Sequence, residues 1–250
     1  MLTNFTNLES VPNIVKTNNF VIQKYLEKPL LLRKRKFDIR LWVLVAHDGK
    51  CYQFKEGYIR TSSVEYDTSP GSLDKAFIHL TNNAVQKFND NYGAFEEGNQ
   101  LSLKQGSVQL RSQGIDLEIS DVVDGPIQTI IKDTLRSVET KLNPQGRKFC
   151  FEIFGYDFII DETLKPWLIE VNTNPCLEES SSLLRVLIPR MVDDALKLTL
   201  DVVYPPRKKV KDFLSPTEKP AEAIDIVICS EPGLGSGTAG VKEIQRVGES

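Results

Sequence analysis

Residues 149–175, FCFEIFGYDFIIDETLKPWLIEVNTNP, limit what this chain can fold into more than any other stretch. Two runs dense in apolar and aromatic residues flank a polar segment, Asp161-Glu162-Thr163-Leu164, and that pattern is a β-hairpin. In the second run Leu168, Glu170 and Asn172 share one face, because strand side chains alternate. A turn centred on Thr163 and Leu164 sets Asp157 opposite Glu170, with Cβ atoms about 5 Å apart. Two facing carboxylates repel. A divalent cation turns the repulsion into coordination, and Asn172 adds a hard amide oxygen. Mg²⁺ suits such a set, since it takes one or two carboxylates together with substrate phosphates. The alternative is a solvated hairpin face whose acids stand in water. Gly155, which suggests a close backbone approach on that face, and the apolar neighbours both count against that alternative.

The rest of the chain narrows the chemistry mainly by exclusion. Its 250 residues hold one large domain or two small ones, and a net charge of −3 argues against a nucleic-acid partner. The cysteines Cys51, Cys150, Cys176 and Cys229 show no CxxC spacing, and His47 and His79 are the only histidines, so a zinc site is not expected. Reduced thiols in an intracellular protein are the default. No apolar run reaches the length of a membrane span, and residues 1–12 lack the apolar core of a signal peptide. Neither a GxxxxGK[ST] phosphate loop nor a Ser-His-Asp or Cys-His arrangement can be argued.

Patterning predicts hairpins and helices in alternation. Residues 21–32 read as a strand, with Pro29 implying an edge or a break. A basic link spans 33–36, and within it Lys34 to Lys36 read as a solvated run. Residues 37–46 and 51–60 form a second hairpin around Asp48-Gly49, with Asp38 and Arg40 on one face and Phe37, Ile39, Leu41, Val43 and Val45 on the other. A short helix is expected within 74–88. The Asn-, Gly-, Gln- and Ser-rich stretch 89–114 reads as a long, partly mobile loop. Residues 126–142 form an amphipathic helix opened by Pro126. A second helix over 180–203, capped by Ser180 or Ser181, should kink or split at Pro189. Residues 207–250 read as a disordered tail, with 223–228 its apolar patch. The fold class is therefore α+β, antiparallel hairpins packed with helices.

Chemistry, if present, is dispersed: Gln23, Lys24 and Lys36, then Asp38 and Arg40, then Arg60, then the trio Asp157, Glu170 and Asn172. Cations facing bound Mg²⁺ are the usual electrostatic solution for a polyphosphate in transfer.

At this point five blocks carry a family resemblance: Gln23-Lys24-Tyr25-Leu26, Lys36-Phe37-Asp38-Ile39-Arg40, Glu56-Gly57-Tyr58-Ile59-Arg60-Thr61-Ser62, His79-Leu80-Thr81-Asn82-Asn83 and Trp167-Leu168-Ile169-Glu170-Val171-Asn172. In order and spacing they resemble the tubulin tyrosine ligase-like family, over about residues 12–206. The resemblance implies an ATP-grasp-like fold for a core of residues 1–206. It implies an ATP- and Mg²⁺-dependent carboxylate–amine ligase that adds an amino acid to tubulin through an acyl phosphate. Glutamate is favoured because many members of the family use it, with tyrosine as the alternative.

It further implies that Gln23, Lys24, Tyr25 and Leu26 form the adenine-side hinge, that Lys36 and Asp38 contact ATP, and that Arg40 and Arg60 meet phosphate and acceptor carboxylate. Asp157, Glu170 and Asn172 become the Mg²⁺ ligands. The implied partners are a free amino acid and the acidic tails of tubulin or microtubules, with no nucleic acid and no membrane. The chain is expected to be a monomer in the cytoplasm at the cytoskeleton, with cilium or basal body as narrower settings. Attraction to acidic tails would run through residues 33–36, Arg40, Arg60 and 207–211. The family's catalytic region is expected to begin well before a block like Gln23–Leu26, whereas 22 residues precede Gln23 here. A catalytically inactive tubulin-binding fragment is therefore the second reading.

Overall fold

The computed structural model describes residues 23–205 and the strand at 226–230. In chain order the elements are β1 (Leu31–Leu32), β2 (Arg35–Val45), β3 (Cys51–Phe54), β4 (Tyr58–Thr61), α1 (Ala76–His79), α2 (Asn83–Gln86), β5 (Gln100–Ser102), α3 (Leu103–Ser112), α4 (Ile119–Val122), α5 (Gln128–Leu142), β6 (Glu152–Ile160), β7 (Pro166–Asn172), α6 (Ser182–Val203) and β8 (Ile226–Ser230). The mixture of antiparallel strands and helices is the α+β class that the patterning implies. The chain divides into two compact units, and the division passes through β2 after Ile39, through β6 after Asp157 and through β7 after Ile169.

The first unit comprises residues up to 39, then 58–120 and 158–169. Here β1 pairs antiparallel with the start of β2, Leu31 opposite Lys36, and β4 pairs antiparallel with β5, Ile59 opposite Leu101. Only Leu31 and Leu32 of the strand expected over 21–32 are regular, while Pro29 makes a single bridge to Asp161. Val21 and Ile22 lie outside the described residues. The predicted loop over 89–114 is largely structured. Its Ser and Gln residues build a capping box, with the Ser102 hydroxyl accepting from the Gln105 amide while the Gln105 side chain returns to the Ser102 amide. Gly106 has a packing reason, since a Cβ there would fall 2.2 Å from Ile59 Cδ1 and 2.8 Å from Ile119 Cδ1. Leu110, Ile59 and Ile119 close this part of the core.

The second unit comprises 40–57, 121–157 and the residues from 170 onward. The second half of β2 pairs with β3, Val43 opposite Gln53, and β3 pairs with β8. The tail expected to be disordered thus contributes a strand at Ile226–Ser230; its other residues lie outside the described ones. The return strand expected over 51–60 breaks before Gly57, whose missing Cβ would clash with the Arg40 carbonyl at 2.6 Å. The helix expected from Pro126 begins upstream. Residues Val123–Ile127 form a π-helical turn joining α4 to α5, and the wider turn accommodates a proline that lacks an N–H. Ser181 caps α6, its hydroxyl accepting from the Leu184 amide at 3.2 Å. Pro189 does not split that helix, which runs 22 residues because its apolar face (Leu184, Leu187, Ile188, Met191, Ala195) is held in the core. Ile153 lines a small void with Met191 and Ala195 of α6, while the Tyr156 hydroxyl meets Thr134 of α5 at 3.0 Å. Three residues apart on a strand, Ile153 and Tyr156 face opposite ways, so a helix covers each face of β6.

Candidate functional site

The residues singled out from the sequence fall into two sets, one in each unit. In the first unit every residue of β2 is buried, so its charged side chains must be partnered inside the protein. Asp38 is 3% exposed and takes a two-pronged ion pair from Arg60, with Nε to Oδ1 at 2.8 Å and Nη2 on Oδ2. Arg35 reaches Glu96 at 2.6 Å and the Ser62 carbonyl at 3.0 Å, under the ring of Phe95. Lys36 donates to the Tyr25 hydroxyl at 3.0 Å and to the His79 carbonyl at 2.9 Å. Burial pushes the Lys36 ammonium down to about 8, against Asp38, which pulls it up. Gln23 and Lys24 are exposed, whereas Tyr25 and Leu26 are half-buried. Burial raises the Tyr25 phenol.

In the second unit, Asp157 is 1% exposed and grips Arg40 through both oxygens, with Nη2 to Oδ2 at 2.9 Å and Nε on Oδ1. Asn172 points its amide into the same place, with Nδ2 at 3.4 Å from Asp157 Oδ2, 3.3 Å from Glu170 Oε1 and 3.4 Å from the Gly155 carbonyl. The trio expected from the hairpin therefore converges on one face. Gly155 is where it must be, because a Cβ there would lie 2.9 Å from Pro175 Cβ and 3.1 Å from Arg40 Nη1.

This donor set fits a hard divalent ion. Among the described residues no group of three or more His, Cys, Asp or Glu side chains gathers as a metal site. Two carboxylates and an amide leave room for phosphate and water, as Mg²⁺ prefers. Each carboxylate oxygen has two lone pairs, so the Asp157 oxygens can accept from Arg40 and still face an ion. A half-turn of the Asn172 amide replaces Nδ2 by Oδ1.

Several expectations need correction. The basic run 33–36 is not a solvated stretch, since Arg35 and Lys36 are buried at 1% and 9% exposure. Arg40 and Arg60 are buried in ion pairs as well. None of these four is an exposed cation for an acidic tail, and only Arg33 and Lys34 of the run are exposed. Residues 207–211 lie outside the described ones. The apolar neighbours Trp167, Ile169 and Val171 are 43%, 46% and 38% exposed, so their apolar character does not count against a solvated hairpin face. Sequence reasoning missed the roles of Glu96 and of the His79 ring. No local pattern marks either, because their partners lie 61 and 54 residues away.

The fold and the paired-carboxylate face define a mixed α+β protein with a potential hard-cation site. The chain belongs to the tubulin-tyrosine ligase family, whose model matches residues 2–211. It is 36% identical over 202 residues to tubulin glycylase 3B of Tetrahymena thermophila, covering 79% of this chain and 17% of that protein. Tubulin glycylase 3C of the same organism is 33% identical over 218 residues, 84% of this chain and 20% of the relative. Mouse tubulin monoglutamylase TTLL4 is 34% identical over 218 residues, 82% and 18% respectively. The chain thus spans about a fifth of the length of these relatives. Among the described residues no helix is long and apolar enough to cross a membrane.

Proposed function

We propose that this chain belongs to an ATP-dependent, ATP-grasp-type ligase that joins an amino acid to a carboxylate of tubulin through an acyl phosphate. The observation that carries the reading is the convergence of Asp157, Glu170 and Asn172 on one face, in a member of this family. In this reading those three hold Mg²⁺, which when bound neutralises phosphate charge. Gln23, Lys24, Tyr25 and Leu26 receive the nucleotide base, and Lys36 and Asp38 contact the nucleotide. Arg40 and Arg60 orient the carboxylates beside them, and in this reading they are the cations that meet phosphate and acceptor carboxylate. The proposed setting is the microtubule cytoskeleton.

The amino acid is glycine or glutamate. The expectation that favoured glutamate, with tyrosine as the alternative, widens to glycine because glycylases and a monoglutamylase match at nearly the same identity, 33–36%. The test is mass spectrometry of tubulin tails after incubation with the protein, ATP, Mg²⁺ and each amino acid in turn. A glycyl or glutamyl increment supports the reading and selects the substrate. No increment with either, together with no stabilisation of the protein by Mg-ATP, would overturn it.

A further inference from the structure

We propose that His79 is a positioning residue for the Lys36 ammonium, acting through the Tyr25 hydroxyl. That this aims Lys36 at a nucleotide phosphate rests on the function proposed above. His79 ends α1 and is 3% exposed. Its Nε2 lies 3.0 Å from the Ser72 carbonyl, which can only accept, so Nε2 carries the proton. In the neutral ring Nδ1 is then an acceptor, and the Tyr25 hydroxyl donates to it at 2.9 Å. With its proton directed at His79 Nδ1, beside the Tyr66 hydroxyl that is its other hydrogen-bonding neighbour, the Tyr25 oxygen turns its lone pairs to Lys36 Nζ at 3.0 Å.

The same His79 offers its backbone carbonyl to Lys36 at 2.9 Å, so one residue holds the ammonium twice. The anchor is itself fixed, since the Ser72 hydroxyl lies 2.8 Å from both the Asp67 and Ser69 carbonyls. The Tyr25 and Tyr66 rings meet the imidazole edge-on at 5.6 and 6.0 Å, and the Tyr66 hydroxyl donates to the Glu27 carbonyl at 2.9 Å. Among the described residues two acceptors take two of the three ammonium protons, which leaves one direction for a ligand.

The titratable and charged groups around this ammonium are Tyr25, Tyr66 and His79, with Asp38 on its own strand tied to Arg60 of β4. Burial lowers the Lys36 value to about 8, and hydrogen bonds to the charged form oppose that drop. Weakening the Tyr25 acceptor therefore lowers it further.

His79→Gln keeps a donor for Ser72 and loses the Nδ1 acceptor, whereas His79→Asn restores an acceptor near Nδ1. The experiment follows the Cε resonance of Lys36 by NMR in ¹³C-lysine protein against pH, assigned by its loss in Lys36→Arg. The midpoint should fall by about one unit in His79→Gln and recover in His79→Asn, cutting the protonated fraction at pH 8 from about a half to about a tenth. Tyr25→Phe, which removes only the hydroxyl, should move it the same way and serves if His79→Gln does not fold. An unmoved midpoint in a folded His79→Gln or Tyr25→Phe protein overturns the positioning role. Mg-ATP affinity against pH is the second arm: it should weaken above about pH 8 in the parent and one unit lower in His79→Gln. A midpoint that moves while affinity ignores pH supports the positioning of Lys36 and overturns its nucleotide contact.

Discussion

Arg40 and Asp157 clasp each other through two hydrogen bonds in the interior of the second unit, 117 residues apart in the chain. Removing one partner of a buried pair strands the other charge, and the cost is about 3–5 kcal/mol. Arg40→Met should therefore destabilise strongly in urea melts, while Arg40→Met with Asp157→Leu recovers most of the loss. A single variant as stable as the parent would mean that the pair does not anchor this face.

Glu170 is exposed, so Glu170→Gln removes a charge without disturbing the core. The unliganded protein should melt as the parent does, or slightly higher, because a neighbouring like charge is gone. Stabilisation by Mg-ATP should shrink, since a ligand stabilises only in proportion to its affinity for the native state. An equal shift in melting temperature for both proteins removes Glu170 from the ion site.

Lys36 gives stability a pH dependence of defined sign. Its folded value, about 8, lies below the ordinary 10.5, so between those values the unfolded chain binds more protons and stability rises with pH. The full difference is about 3 kcal/mol. Tyr25 and Tyr66, whose phenols burial raises, oppose the rise above about pH 10. Stability should climb from pH 8 to about 10 in the parent. Lys36→Met should flatten that climb, and denaturant melts across the window check it.

The hairpin turn carries a second titration of the same sense, at the acid end. Asp161 accepts from the Thr163 amide at 2.8 Å, the Lys165 amide at 3.0 Å and the Trp167 indole at 2.8 Å. Partial burial pushes its carboxyl up, but these bonds and the Thr163 hydroxyl outweigh it and hold the group at about 2. The folded value lies below the ordinary 3.8, so the stabilisation is present above that pH and is lost as pH falls through about 2. Asp161→Asn should cost about 1 kcal/mol at neutral pH after solvent screening. The gap between variant and parent should close in acid, and a gap that persists at pH 2 would point to lost geometry instead of lost charge.

Period-two alternation placed Glu170 and Asn172 on one face of the organising hairpin, and alternation is local, so the sequence alone determined that much of the site. The Ser181 cap and the apolar stripe of α6 were legible for the same reason, as each is a relation between residues a few positions apart. Local composition misled where a distant partner decided the outcome. Gly106 is explained only by Ile59 and Ile119 packed against it, whereas the Ser102–Gln105 capping box is a local S-x-x-Q signal hidden inside a loop-like composition. The charges of β2 show the limit most plainly. A run such as Arg35-Lys36 with Asp38 and Arg40 reads as solvated or cleft-lining, because nothing nearby in the chain neutralises it. Only tertiary structure brings Glu96, His79, Arg60 and Asp157 to these side chains, and burying a charge is tolerable only when such a partner arrives.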